Sequence, residues 1–234
     1  MHQTAKIVLC GKSGVGKSSL LRRYTAGTFD SSFEQSTIGV EFGCRLHTSS
    51  SGQTFKLMIW DTAGQELYRS VAKSYFRNAA VALLVFDVNC FESFEELVLS
   101  WVPELLQQQQ ECPHWVLVGN KTDRDQRQVS RFQAERLAVN FSRCKECRLN
   151  ACFQAIGRVD TPLPPPAKAC KTCTQTNSLY FETSALYGTG IDTVFQACVD
   201  VVESTMRNER ETPESETAPL LSTDHATGKA CCST

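Results

Sequence analysis

The sequence predicts an α/β fold, a mostly parallel sheet with helices covering both faces. Three observations carry that prediction. Short apolar runs alternate along the chain with segments of helical period, which is the order that builds such sheets. The first run, "KIVLC", feeds through a glycine-rich turn straight into a helical segment. Two later runs, "VALLVFDV" and "WVLVGNK", are apolar strands that each end in a polar loop. With 234 residues the chain suits one domain of roughly 150–200 residues plus extras.

Taken in order, "KIVLC" reads as a buried strand that stops at Gly11, and "SSLLRRYTAG" as a helix that stops at Gly27. Val40, Phe42, Cys44 and Leu46 alternate with Glu41, Gly43, Arg45 and His47, the period of a half-buried strand. The turn "SSSGQ" and the run "FKLMIW" complete a hairpin over 40–60. "SFEELVLSWVPELLQQQQ" places Phe94, Leu97, Val98, Trp101 and Leu105 at helical spacing, and Pro103 inside that pattern predicts a bend. Ile191, Val194, Phe195, Cys198, Val199 and Val202 recur as one face of a long amphipathic helix. From Thr212 onward Thr, Glu, Ser and Pro dominate, which predicts a disordered tail over 212–234.

The net charge of −1 gives no electrostatic footprint for nucleic acid. The first residues lack the apolar core of a secretory signal, and no apolar run reaches the ~20 residues that span a bilayer, so synthesis and folding in the cytosol are expected. Twelve cysteines are then expected as thiols, metal ligands or modification sites rather than disulfides. Cys10, Cys44, Cys90, Cys112 and Cys198 are scattered and read as small buried hydrophobes. The remaining seven cluster, five within 144–173 and two at Cys231 and Cys232.

The chemistry begins at Gly11–Ser18, "GKSGVGKS", a match to G-x-x-x-x-G-K-[ST] between a strand and a helix. In that setting Ser13, Gly14, Val15, Gly16, Lys17, Ser18 and Ser19 surround phosphate. Backbone N–H groups curl around the oxygens, Lys17 reaches the terminal phosphates, Ser18 holds Mg²⁺, and the helix N-terminus favours the charge. "NKTD" follows the strand "WVLVG" and supplies Asn120, Lys121 and Asp123. The Asp123 carboxylate can accept two N–H groups from one edge of guanine, which adenine does not offer, a discrimination of ~10⁴-fold or more. "ETSA" adds the backbone N–H groups of Ser184 and Ala185 for the guanine oxygen. In "DTAGQE", Asp61 acts on Mg²⁺ through water, the Gly64 N–H meets the γ-phosphate, and Gln65 orients the attacking water. "STIG" supplies Thr37 for Mg²⁺ and γ-phosphate.

These five motifs in this order resemble the Ras superfamily of small GTPases, and "IGVEF", "KLMIWDTAGQE" and "YFRNA" resemble its Rab family. The likeness covers 5–142 and 179–211. It implies a P-loop small G-domain, a six-stranded sheet with one antiparallel edge hairpin strand, over residues 5–211. It also implies a switch between GTP- and GDP-bound states that regulates vesicle traffic from the cytoplasmic face of an endomembrane, with a cytosolic pool. Implied partners are an exchange factor, a GTPase-activating protein, a GDP-dissociation inhibitor, prenylation escort machinery and effectors. Effectors would read Phe42, Trp60 and Tyr75, for which the competing reading is plain core packing. An activating protein's arginine would enter past Ser13, where a small side chain leaves room. Cys231 and Cys232 in the terminal "CCST" resemble a doubly prenylated anchor, since two lipid chains hold a membrane stably where one does not.

Three departures stand out. Lys12 occupies a position where many Rabs carry an acid, the interval from Lys17 to Thr37 is one residue longer than is common, and Leu186 replaces a lysine after "TSA". Leu186 predicts weaker nucleotide binding without its loss. The largest departure is an insertion over 143–178. Lengthening a loop about eightfold costs only about 2 kcal/mol of closure entropy. Cys144, Cys147, Cys170 and Cys173 form two C-x₂-C pairs 22 residues apart, able to close a tetrahedral Zn²⁺ site. A disordered loop, a zinc knuckle, and a translated intron or faulty gene model are the three readings left open. The alternative function is a G-domain scaffold with impaired cycling whose insert recruits partners.

Overall fold

The computed structural model describes residues 2–30, 40–62, 76–107, 113–139 and 179–211. Strand β1 (Gln3–Cys10) leads into helix α1 (Lys17–Ala26), followed by β2 (Val40–Thr48), β3 (Thr54–Thr62) and β4 (Val81–Asp87). Helix α2 spans 91–107, and β5 (His114–Asn120), α3 (Arg131–Ala138), β6 (Tyr180–Glu182) and α4 (Ile191–Glu211) complete the order. The six strands lie in the order β2-β3-β1-β4-β5-β6. Among the described strands only the β2–β3 pair is antiparallel.

The alternating pleat divides the core between the two faces. Ile7 and Leu9 of β1, with Leu83 and Val85 of β4, meet Leu20, Leu21 and Tyr24 of α1 and Val194, Phe195 and Val199 of α4. Val8 and Cys10, with Leu84 and Phe86, meet Phe94, Leu97 and Trp101 of α2 and Ala134 and Leu137 of α3. β4, β5 after His114 and the end of β1 from Ile7 are therefore buried on both sides, which is why their sequences do not alternate, whereas β3 still alternates between buried and less buried residues. The α4 face is the one its period predicts, with all six named residues buried.

Two details depart from the sequence reading. Inside α2, the turn Leu97–Trp101 is a π-helix, and the Val102 N–H reaches back to the Leu97 carbonyl. Pro103 lies just beyond it and has no N–H to donate, so the strain expected as a bend is absorbed by widening the preceding turn. On β2, Phe42, Cys44 and Leu46 are exposed rather than buried. Alternation identifies a face but not its direction, and here the other face meets α1. A Cβ on Gly43 would come within 2.8 Å of Leu21 Cδ1. Of the cysteines expected in the core, Cys10 and Cys198 are buried, Cys90 is half-buried and Cys44 is exposed, while Cys112 lies outside the described residues.

The β2–β3 hairpin is latched to α4 by polar groups. Tyr24 Oη and His47 Nδ1 are 2.7 Å apart, and His47 Nε2 lies 2.9 Å from Gln196 Oε1. Ser50 donates to Asp200 through its N–H at 3.0 Å and its hydroxyl at 2.9 Å. Ser51 donates to Glu203.

Candidate functional site

Five segments converge at the C-terminal edge of the sheet, where ligands of open α/β folds bind. They are the loop after β1, the end of β3, the end of β4, the loop after β5 and the loop after β6. The first is shaped by glycine. Gly11 has φ +140° and a Cβ there would sit 2.1 Å from the Val85 carbonyl oxygen, while Gly16 has φ +98° and its Cβ would sit 2.4 Å from Asn120 Nδ2. Both positions exclude side chains, so the loop lies flat against β4 and β5.

Lys17 is buried and donates to the carbonyls of Gly11 at 2.9 Å and Lys12 at 3.0 Å. Its amine thus stands over the loop it belongs to. Burial lowers its pKa, and Asp61 opposes that shift. Asp61, at the end of β3, is fully buried. Its Oδ2 accepts from the Ser18 hydroxyl, and its Oδ1 is buried with no hydrogen-bond partner. Burial pushes this carboxyl up to about 6, against the pull of Lys17 and the Ser18 hydroxyl. A desolvated carboxylate with one unmatched oxygen beside a hydroxyl is a donor set that suits Mg²⁺. That ion takes one or two protein oxygens and fills its octahedron with phosphate and water. The residues present fit the ion.

On the other side, Asn120 is buried and holds the glycine-rich loop, Nδ2 donating to the Val15 carbonyl at 2.9 Å. Thr183 donates to its Oδ1 at 3.1 Å. Lys121, at φ +63°, donates to the Gly14 carbonyl at 2.6 Å and pairs with Asp87 at 3.0 Å. Asp123 accepts from the Ser184 hydroxyl at 2.5 Å. The loop after β6 thereby meets the loop after β5 directly. The Ser184 backbone N–H, expected to face the guanine oxygen, donates instead to the Thr189 carbonyl at 3.1 Å. Ser184 acts here through its hydroxyl, because the Ser184–Thr189 bridge uses its backbone.

The structure brings Ser13, Gly14, Val15, Gly16, Lys17, Ser18, Ser19, Asp61, Asn120, Lys121, Asp123, Ser184 and Ala185 to these convergent segments. Thr37, Gly64, Gln65 and Tyr75 lie outside the described residues, as do Cys144, Cys147, Cys170, Cys173, Cys231 and Cys232. Phe42 is 48% exposed with its ring centroid 5.0 Å from that of half-buried Trp60, so on Phe42 packing alone does not account for the side chain. Three contributors escaped the motif reading. Asp87, an acid closing an apolar strand, orients Lys121 and also accepts from Asn89. Lys12 pairs with Glu92 at 2.5 Å and Glu96 at 3.8 Å, fastening the glycine-rich loop to α2. Arg23 reaches the loop after β6 from α1.

A match to the Ras family spans residues 6–153, more than half of the chain. The chain belongs to the Ras family. Within the Ras family its relatives are Rab proteins. It is 33% identical to the Ras-related protein RabC of Dictyostelium discoideum over 207 residues, 88% of this chain and 87% of that protein. It is 39% identical to the GTP-binding protein ypt4 of Schizosaccharomyces pombe over 172 residues, 66% of this chain and 73% of that protein. It is 45% identical to human Ras-related protein Rab-30 over 131 residues, 56% of this chain and 63% of that protein. This Ras-family member is a Rab-like small GTPase: it binds GTP and GDP with Mg²⁺, hydrolyses GTP to GDP and phosphate, and serves vesicle trafficking. No helix among the described residues is long and apolar enough to cross a membrane.

Proposed function

We propose that residues 5–211 form one GTP-hydrolysing switch domain, interrupted by the insertion 143–178, and that 212–234 form a tail carrying a lipid anchor. The observation that carries this reading is Asp61, buried with Oδ1 unmatched beside the Ser18 hydroxyl and the Lys17 amine.

Lys17 exchanges the Gly11 and Lys12 carbonyls for the terminal phosphates, so an amine already desolvated and aimed loses little freedom on binding. The N–H groups from Ser13 to Ser19 take the remaining phosphate oxygens. Ser18 and Thr37 would hold Mg²⁺, with Asp61 acting on it through water. When bound, the ion neutralises charge on the β- and γ-phosphate oxygens. Gln65 orients the attacking water, and the Gly64 N–H reports the γ-phosphate to its segment. Asp123, oriented by Ser184, accepts the two N–H groups of guanine, and the Ala185 N–H is donated to its oxygen. Asn120 and Lys121 tie this pocket to the phosphate loop. Ser13 leaves room for an arginine from an activating protein, which supplies the charge intrinsic hydrolysis lacks. Loss of the γ-phosphate releases the segments bearing Thr37 and Gln65.

Phe42, Trp60 and Tyr75 form the effector surface. Cys231 and Cys232 carry prenyl groups that place the protein on the cytoplasmic face of an endomembrane, with escort and GDP-dissociation proteins maintaining a cytosolic pool. Cys144, Cys147, Cys170 and Cys173 are the candidate zinc ligands of the insertion.

Native mass spectrometry of the full-length protein purified from eukaryotic cells tests this reading. The expected masses are protein with one guanine nucleotide and Mg²⁺ and two added isoprenoid groups absent from a Cys231→Ser/Cys232→Ser form; a zinc atom lost with Cys144→Ser would make the insertion a zinc knuckle, and nucleotide without zinc a loose loop. Nucleotide should disappear in Lys17→Ala, and single-turnover hydrolysis should fall in Gln65→Leu. Protein that carries no nucleotide and shows no Gln65-dependent turnover would overturn the switch reading in favour of a scaffold.

A further inference from the structure

We infer that Arg23 is a positioning residue for guanine recognition, acting from α1 on the backbone of the loop after β6. The inference rests on the reading of Ala185 as the donor to the guanine oxygen. Arg23 Nε donates to the Ala185 carbonyl at 2.9 Å and Nη2 to the Leu186 carbonyl at 2.5 Å. Its third contact, Nη1 to the Gly27 carbonyl at 2.9 Å, closes the end of its own helix. The guanidinium carbon lies 5.7 Å from the centroid of the Phe29 ring. One planar fork is therefore held on three carbonyls and a ring, and two of those carbonyls lie 162 and 163 positions away in the chain.

The consequence follows from peptide geometry. A trans peptide is planar, with its C=O and N–H opposed. Fixing the Ala185 and Leu186 carbonyls toward α1 fixes the Ala185–Leu186 and Leu186–Tyr187 peptide planes; the Ala185 N–H lies in the preceding plane, with the Ser184 carbonyl, so Arg23 restrains Ala185 from its C-terminal side. The other side of the loop is already held. Ser184 N–H is on Thr189, Tyr187 N–H is on the Ser184 hydroxyl at 3.2 Å, and Gly188 N–H is on the Ser184 carbonyl at 2.8 Å. Arg23 supplies the remaining restraint. It does so from an element that follows the phosphate loop, so phosphate and base sites share one rigid body. The restraint also comes from outside the segment that the insertion joins. β6 is three residues long and enters this loop directly. Arg23 anchors the loop to α1 whatever the preceding 36 residues do.

Leu186 fits the same account. The position contributes a carbonyl to Arg23, while its side chain is 41% exposed. An apolar side chain is tolerated because the backbone is what is used.

The test compares dissociation constants of three probes, GDP, IDP and the diphosphate of 2-aminopurine riboside, for full-length wild type, Arg23→Met and Arg23→Lys. GDP and IDP share the oxygen at position 6, whereas 2-aminopurine lacks it. In Arg23→Met, GDP and IDP should each weaken roughly tenfold while the 2-aminopurine probe stays within twofold. The preference for GDP over 2-aminopurine then falls tenfold, and the preference for GDP over IDP is unchanged. Arg23→Lys, which has one ammonium for two carbonyls, should show a smaller fall in the same ratio; it also supplies the measurement if the methionine variant does not fold. Equal weakening of all three probes, or no change in the ratio, would make Arg23 a purely structural residue and overturn the inference. If wild type itself shows no preference for GDP over the 2-aminopurine probe, the reading of Ala185 fails first, and the two failures are told apart.

Discussion

Arg127 and Glu182 form a two-pronged ion pair, Nη1 to Oε1 at 3.0 Å and Nη2 to Oε2 at 3.1 Å. Arg127 follows the loop that holds Asp123, and Glu182 ends the strand that leads to Ser184. The pair thus joins the two segments that frame the base pocket. Tyr180 donates to the same Oε1 at 2.9 Å.

Partial burial pulls the Glu182 carboxyl upward, and the bonds from Arg127 and Tyr180 outweigh it, leaving its pKa below the ordinary range. A carboxyl depressed in the folded state contributes stability above its unfolded pKa near ~4.3, and that stability is lost as pH falls through the folded value. Because the pair is partly exposed, the contribution is about 0.5–1 kcal/mol. Glu182→Gln should therefore melt below wild type at pH 7, with the gap closing as pH drops below the carboxylate range. Thermal melts across pH 3–7 check this; a gap that stays constant would remove the charge from the explanation.

Lys12 lies between two acids of α2, and reversing its charge makes a cluster of three. Lys12→Glu should cost about 0.5–1 kcal/mol, and adding Glu92→Lys should recover most of it. A double-mutant cycle on the GDP-bound protein measures the coupling. A value near zero would leave Lys12 as a solvated side chain with no hold on α2.

Asp123→Asn replaces an acceptor with a group that can also donate. Guanine presents an amino group to that oxygen and xanthine presents a carbonyl, so preference should move toward xanthine nucleotides while GDP weakens by at least ~10²-fold. Competition between GDP and XDP reads the shift. Unchanged GDP affinity would mean that Asp123 does not touch the base.

Gly16→Ala places a Cβ 2.4 Å from Asn120 Nδ2 at a backbone angle that L-residues rarely adopt. The strain should cost about 1–3 kcal/mol. It should also break the Asn120–Val15 bond, raising the GDP off-rate at least tenfold. Stopped-flow release of a fluorescent GDP measures that rate. Wild-type release would show that the loop adjusts freely.

Legibility in the sequence followed the range of the interactions. Gly11–Ser18, Asn120–Asp123 and the face of α4 are local patterns whose spacing alone dictates geometry, and the structure places them as read. Arg23 was invisible because its partners are backbone carbonyls more than 160 positions away, which leave no residue-type signal. The exposure of Cys44 and Leu46 was missed for another reason. A period of two marks the faces of a strand equally, and only the approach of Leu21 to Gly43 decides which one is buried. The π-turn before Pro103 was half legible: proline announces lost hydrogen bonding but not how the helix accommodates it.

The latch between the edge hairpin and α4 has a mechanical meaning. α4 is 21 residues long, about 30 Å, and a load applied beyond residue 211 would enter at its far end. Asp200 and Glu203 flank the middle of the helix, gripping Ser50 and Ser51 side by side. Tension from a tethered tail would load these two contacts together and pass from them into β2, the strand that carries Phe42. A tug on such a leash would be felt first at the edge of the sheet, and only afterwards at the loops that hold the nucleotide.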